Sequence, residues 1–113
     1  MIKLYIKENK FGTFYYKDPE MTILQREDGP SIEWLNGTKF WYQNDEYHRL
    51  DGPAVEFASG DKEWWQNDKR HREDGPAIEY VDGTKHYYYQ GKYFPDIKTN
   101  EQWKKHLKWM KFE

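Results

Sequence analysis

Three arginines, Arg26, Arg49 and Arg72, each stand two residues before an aspartate (Asp28, Asp51, Asp74) and seven before a glutamate (Glu33, Glu56, Glu79). A row of guanidiniums suits a phosphate or nucleotide, with Trp65, Tyr42 or Tyr88 as stacking partners. Carboxylates and the histidines His48 and His71, each just before its arginine, suit a metal or proton transfer. Most of this chemistry weakens on closer reading. Nothing near each aspartate completes a ligand set. His48 and His71 lie one repeat apart, about two strand spacings or ~10 Å, too far to share an ion. Their place in the series is taken elsewhere by Gln25 and Phe94, which favours packing and hydrogen bonding over catalysis. There is no cysteine, no HExxH, no nucleophile elbow and no phosphate-cradling glycine loop, and Ser31 and Ser59 fall in a strand start and a turn. An enzyme is not expected, nor a cofactor or metal. For the Glu and Arg series a solvated salt-bridge network is the stronger reading, and anion binding the weaker.

These residues belong to a phrase stated three times, at 26–33, 49–56 and 72–79, with Asp-Gly-Pro starting at 28, 51 and 74. A fixed 23-residue period marks a repeat architecture. The triplets Asp28-Gly29-Pro30, Asp51-Gly52-Pro53 and Asp74-Gly75-Pro76 read as structural turns: Asp bonds local backbone, Gly supplies an unusual φ, and Pro ends the ladder. Each unit then gives strand A (31–35, 54–58, 77–81), a two-residue turn (Asn36-Gly37, Ser59-Gly60, Asp82-Gly83), strand B (39–43, 62–66, 85–89) and a connector. Two-residue turns of type I′ set Ile32 opposite Trp41, Val55 opposite Trp64 and Ile78 opposite Tyr87. Trp34, Phe57 and Tyr80 share that face. Glu33, Glu56 and Glu79 lie on the other with Tyr42, Trp65 and Tyr88. Parity argues against a further strand around Tyr47-His48-Arg49, since an odd strand count would invert every second unit.

The flanks differ. Residues 2–7 and 13–17 around a turn at 8–12 read as a worn copy of the hairpin, ended by Asp18-Pro19. Beyond the hinge Phe94-Pro95-Asp96, Thr99-Asn-Glu-Gln102 is a capping box, and Trp103, His106, Leu107 and Met110 form a helical stripe. This helix is expected to cap the last strand or fold onto a sheet face. The expected fold is all-β repeat: a single twisted antiparallel β-meander of about three and a half 23-residue hairpin repeats, with six to eight strands and a C-terminal capping α-helix. One domain spans 1–113, divided into a degenerate hairpin at 1–24, three repeats at 25–94 and the helix at 95–113.

Composition bounds the function. Ten Tyr and six Trp among 113 residues exceed what so small a chain can bury, so an exposed aromatic patch is expected. A net charge of −2 with interspersed signs argues against nucleic acid as a partner. The absence of cysteine, and of an apolar run at the N-terminus, points to a reducing, cytoplasmic setting with no membrane span.

The unit His48-Arg49-Leu-Asp51-Gly52-Pro53-Ala54, with Glu56-Phe57, Gly60-Asp61-Lys62 and Trp64, resembles the membrane occupation and recognition nexus (MORN) repeat. It is most similar to a variant found in proteins of tailed bacteriophages and large viruses. The chain departs from typical MORN repeats in lacking their Tyr-x-Gly-x-Trp word. The resemblance implies a β-meander with a binding role, not an enzyme. The expected function is a non-enzymatic protein-interaction module, phage-encoded and acting in the host cytoplasm, which binds and inhibits a host defence protein. Candidate partner-binding residues are Trp41, Tyr42, Trp64, Trp65, Tyr87, Tyr88, Arg49 and Arg72. A nucleotide- or anion-binding module and a self-assembling homo-oligomer are the alternatives. A lipid-surface role ranks last, because only the lysine-rich 104–111 stretch is basic.

Overall fold

The computed structural model describes residues 3–110. The predicted first strand therefore begins, and the predicted helix ends, on residues outside the described ones. An N-terminal hairpin, β1 (Tyr5–Asn9) and β2 (Gly12–Tyr16), precedes three units of like construction. The first unit holds β3 (Ile32–Trp34), β4 (Lys39–Phe40), β5 (Tyr42–Gln43) and β6 (Glu46–Tyr47). The second holds β7 (Val55–Glu56), β8 (Lys62–Glu63), β9 (Trp65–Gln66) and β10 (Lys69–Arg70). The third holds β11 (Ile78–Glu79), β12 (Lys85–His86), β13 (Tyr88–Tyr89) and β14 (Lys92–Tyr93), and α1 (Asn100–Met110) follows. Strands β1-β2-β3-β4-β7-β8-β11-β12 form one eight-stranded antiparallel meander, while β5–β6, β9–β10 and β13–β14 pair separately as ribbons.

Two turn assignments exchange places relative to expectation, and the register moves with them. The main hairpins close through three-residue loops. Trp34 N–H donates to Thr38 O (2.9 Å) and Gly37 N–H to Trp34 O (3.0 Å), and Phe57 and Tyr80 repeat the pattern. Only the glycine of each loop has positive φ: Gly37 at 98°, Gly60 at 102° and Gly83 at 95°. Asn36 and Asp82 instead accept from Thr38 N–H (2.9 Å) and Thr84 N–H (2.8 Å), which stabilises an ordinary turn ended by a left-handed glycine. The extra loop residue shifts pairing by one, to Ile32↔Phe40, Val55↔Glu63 and Ile78↔His86. Val55 and Trp64 therefore lie on opposite faces, not one.

Paired left-handed residues sit in the connectors instead: Asn44-Asp45 (49° and 67°), Asn67-Asp68 (50° and 63°) and Gln90-Gly91 (47° and 87°). Each turns a second hairpin, so the connector does carry a strand, Glu46–Tyr47 in the first unit. Parity survives because strand B divides in two at Trp41, Trp64 and Tyr87. Each unit has four short strands and keeps its neighbours' orientation.

One face of the meander buries Ile32, Val55 and Ile78. The ribbons help to cover it: Phe40 packs edge-on against Tyr42 (6.4 Å between centroids) and Tyr47 (5.9 Å), and Tyr42 stacks on Tyr47 at 4.6 Å. Tyr42, Trp65 and Tyr88 thus turn away from the glutamate face to which alternation had assigned them. That other face carries a row of rings and small residues in turn. Tyr15 N–H donates to Ser31 O, Trp41 N–H to Ala54 O and Trp64 N–H to Ala77 O, at 2.7–2.8 Å. The serine or alanine after each proline leaves room for the neighbouring ring. Beside this row runs a charge ladder, Glu8, Thr13, Glu33, Lys39, Glu56, Lys62, Glu79 and Lys85, each residue directly opposite the next.

Units are fastened by one recurring bond. Gln25 Oε1 accepts from Asn44 N–H (3.1 Å), His48 Nδ1 from Asn67 N–H (3.1 Å) and His71 Nδ1 from Gln90 N–H (2.9 Å). This is the hydrogen-bonding role expected for the two histidines. The helix begins with its capping box formed both ways, Gln102 N–H to Thr99 Oγ1 at 3.1 Å and Thr99 N–H to Gln102 Oε1 at 3.2 Å. It buries Trp103 and Leu107 against Tyr87, with Tyr89, Phe94, Ile97 and Met110 around them.

Candidate functional site

Each arginine of the repeat is the centre of a clip. Arg26 lies over Tyr15 at 4.0 Å, Arg49 over Trp41 at 3.9 Å and Arg72 over Trp64 at 3.8 Å, measured from guanidinium carbon to ring centroid. Nε of each donates to Asp28 (3.1 Å), Asp51 (2.9 Å) and Asp74 (2.9 Å) respectively. Nη1 donates to the carbonyls of Pro30, Pro53 and Pro76. It also meets Glu33 (3.5 Å), Glu56 (3.0 Å) and Glu79 (3.1 Å). The Arg49 hydrogen bond, then its charge, holds the Asp51 carboxyl below the usual carboxylate range.

The glycine of Asp-Gly-Pro is explained by this contact and not by φ. Gly29, Gly52 and Gly75 are absent from the left-handed region. A Cβ on Gly52 or Gly75 would stand 2.8 Å from the guanidinium carbon of Arg49 or Arg72. The aspartates bind arginine, and Asp51 adds a weaker bond to its own backbone. Arg49 and Arg72, proposed from sequence as partner-binding, each already hold two carboxylates, a proline carbonyl and an aromatic ring, which engages three of the five guanidinium N–H groups and offsets the charge a phosphate would need.

The fourth ring of the row has no arginine. Trp103 from the helix approaches Tyr87 instead, 5.5 Å between centroids, and donates its indole N–H to Arg72 O at 2.9 Å. The Tyr87 hydroxyl donates to Asn100 Oδ1 at 2.7 Å, and burial raises its phenol pKa. Tyr87 is 1% exposed and leaves the set of candidate contact residues. Between successive clips run two grooves, about 940 Å³ with Trp41 and His48 in the wall and about 500 Å³ with Trp64 and His71.

On the ribbon side Trp65 donates to Glu63 Oε1 (2.9 Å), and Arg70 lies over the rings of Trp65 (4.8 Å) and Tyr88 (5.5 Å). Burial, then the hydrogen bond with Tyr47, raises the Tyr42 phenol pKa. Tyr42, Trp65 and Tyr88 are half-buried ribbon contacts, tying each ribbon to its neighbours.

The exposed rings include Phe11, Phe57, Tyr80, Tyr93 and Trp109, and of these Phe57 and Tyr80 are ones the sequence placed on a face without assigning them to a partner. Trp34, Phe57 and Tyr80 occupy one position in three successive units, roughly 10 Å apart by strand spacing. Phe57 and Tyr80 are exposed, and Leu35 and Val81 beside them are 77% and 71% exposed. Edge-on contacts to Phe40 (6.5 and 6.3 Å) hold Trp34 and Phe57, and one to His86 (5.8 Å) holds Tyr80. The helix cluster lies at Tyr87 and does not reach them. The signal available in the sequence is an apolar pair where each strand enters its loop: Trp34-Leu35, Phe57-Ala58 and Tyr80-Val81.

Among the described residues no group of three or more His, Asp or Glu is placed to hold a metal ion, and no helix is long and apolar enough to cross a membrane. No family model, curated protein or solved structure matches the chain.

Proposed function

We propose that the chain is a non-enzymatic, MORN-like protein-interaction module whose contact surface is the row Trp34, Phe57 and Tyr80 with Leu35 and Val81. The observation that carries this is the exposure of Phe57 and Tyr80 at one position of successive units, with Leu35 and Val81 exposed beside the row and Trp34 half-buried. Contiguous apolar surface of this kind is what partner-binding proteins keep, and Trp and Tyr lead among interface hot spots. The partner class implied by the repeat resemblance is a host protein, bound and blocked by a phage-encoded inhibitor. The nucleotide reading is weaker, because the guanidiniums it needs are committed within the clips.

Capture from host lysate tests the proposal, with the wild type compared against Phe57→Ser/Tyr80→Ser. Phe57 and Tyr80 each make an edge-on ring contact, so a wild-type far-UV circular dichroism spectrum is required of the variant before capture is compared. A stoichiometric partner held by the wild type and lost by the variant supports the surface. Equal capture by both, or none by the wild type in excess, overturns it.

A further inference from the structure

The geometry points to a second surface, and to a second copy of this chain as its occupant: copies join head to tail, with β1 of one pairing antiparallel with β12 of the next. The two strands are the ends of the eight-stranded sheet, and among the described residues β1 is bonded only to β2 and β12 only to β11. Each presents one unpaired backbone edge, the template on which another strand adds. The helix packs on Tyr87, Tyr89, Phe94 and Ile97 rather than along β12.

Charge selects the occupant. Inside the chain one unit joins the next by placing a lysine opposite a glutamate, Lys39↔Glu56 and then Lys62↔Glu79. The ladder stops at Lys85 on β12, and at the other edge it begins with Glu8 on β1. Placing Lys85 against Glu8 of another copy repeats the junction already used twice. Strand direction also matches: eight alternating strands leave β12 running opposite to β1, so a further copy continues the meander in the same orientation. The faces match too, since Glu8 and Lys85 belong to one ladder on one face. Pairing β1 with β1 about a two-fold axis through Glu8 or Lys7 instead sets like charges together. A junction that uses different edges on its two sides adds copies in one direction, into a ring where the rotation closes and into an open-ended series where it does not.

Light scattering and sedimentation across a wide concentration range test this. The expected result is a mass that rises with concentration past the dimer and falls with added salt. Glu8→Lys faces only Thr13 within its own chain, so it folds and stays monomeric where the wild type associates. Lys85→Glu likewise fails to associate alone. An equimolar mixture of the two variants regains association, because each junction again pairs opposite charges. A wild type that remains monomeric throughout, a closed dimer unaffected by Glu8→Lys, or a mixture that stays monomeric overturns the inference. Each of these outcomes leaves the Phe57 and Tyr80 surface untouched.

Discussion

The guanidinium of Arg72 lies over the ring of Trp64, 3.8 Å from its centroid, and so close to Gly75 that a β-carbon there would stand 2.8 Å from it. This one relationship explains most of the repeated phrase. Arginine supplies a planar cation that stacks and donates in a fork. Aspartate and glutamate take its N–H groups, and glycine leaves space for it. Proline offers a carbonyl acceptor and has no N–H to satisfy, and alanine or serine clears room for the ring. Aspartate, glutamate, glycine and proline thus answer to the arginine, and alanine or serine to the ring it covers.

Gly52→Ala tests that account. The new Cβ would fall 2.8 Å from the Arg49 guanidinium carbon, which two carboxylates and Trp41 hold in place. Displacing it costs about 1–3 kcal/mol, in the range for an overpacked site. Arg49→Ala removes the obstacle, so Gly52→Ala in that background is expected to be close to neutral. Urea denaturation of the two single variants and the double variant gives the coupling. Additive losses would mean that glycine is there for its backbone.

The meander, its 23-residue period, the terminal helix and its cap were legible because each rests on local pattern. Register was not. It turned on whether Asn36-Gly37 makes a two-residue or a three-residue loop, and Asn-Gly permits both. The choice falls to the Asn36 side chain bonding Thr38 N–H, a contact that strand alternation does not encode. One residue of slip exchanged the faces of Trp41, Trp64 and Tyr87, and with them the candidate surface. The second hairpins were hidden for a related reason. Asn44-Asp45 and Asn67-Asp68 lack the glycine that advertises a left-handed turn, yet Asn and Asp tolerate that region.

Gln90 shows the same turn with a less suitable residue. Its φ is 47°, where the two earlier units place Asn44 and Asn67. Gln90→Asn should stabilise the fold by about 0.5–1 kcal/mol, and Gln90→Gly by a similar amount, because a left-handed β-carbon is strained for most residues. Differential scanning calorimetry would record a higher Tm. An unchanged or lower Tm would show that the Gln90 side chain makes a compensating contact.

His71 accepts a hydrogen bond from Gln90 N–H, so its Nδ1 carries no proton and its Nε2 does. Gln25 does the same job with Oε1 two units earlier. His71→Gln is therefore expected to be nearly neutral, whereas His71→Ala loses about 0.5–1.5 kcal/mol and frees the Gln90 amide. Hydrogen exchange read at Gln90 separates the two variants. Equal exchange in both would mean that the imidazole matters for packing alone, through its 4.7 Å contact with Tyr89.

Asp51 gives the clip a pH signature. Its folded pKa is depressed, chiefly by the hydrogen bond from Arg49 and then by the arginine's charge. A depressed carboxyl binds its proton more weakly folded than unfolded. The stability it contributes is present above the unfolded value of about 3.9 and is lost as pH falls through the lower folded value. Asp51→Asn should therefore be less stable than the wild type at neutral pH, and the difference should shrink in acid. The variant still weakens in acid, because Asp18 and Asp82 are depressed as well, by the Thr22 hydroxyl and by Thr84 N–H respectively. Denaturation midpoints of both proteins at neutral and acid pH measure the gap. A gap that stays constant would mean that Asp51 acts through its shape and not its charge, and the clip would then be held by Glu56 and the ring alone.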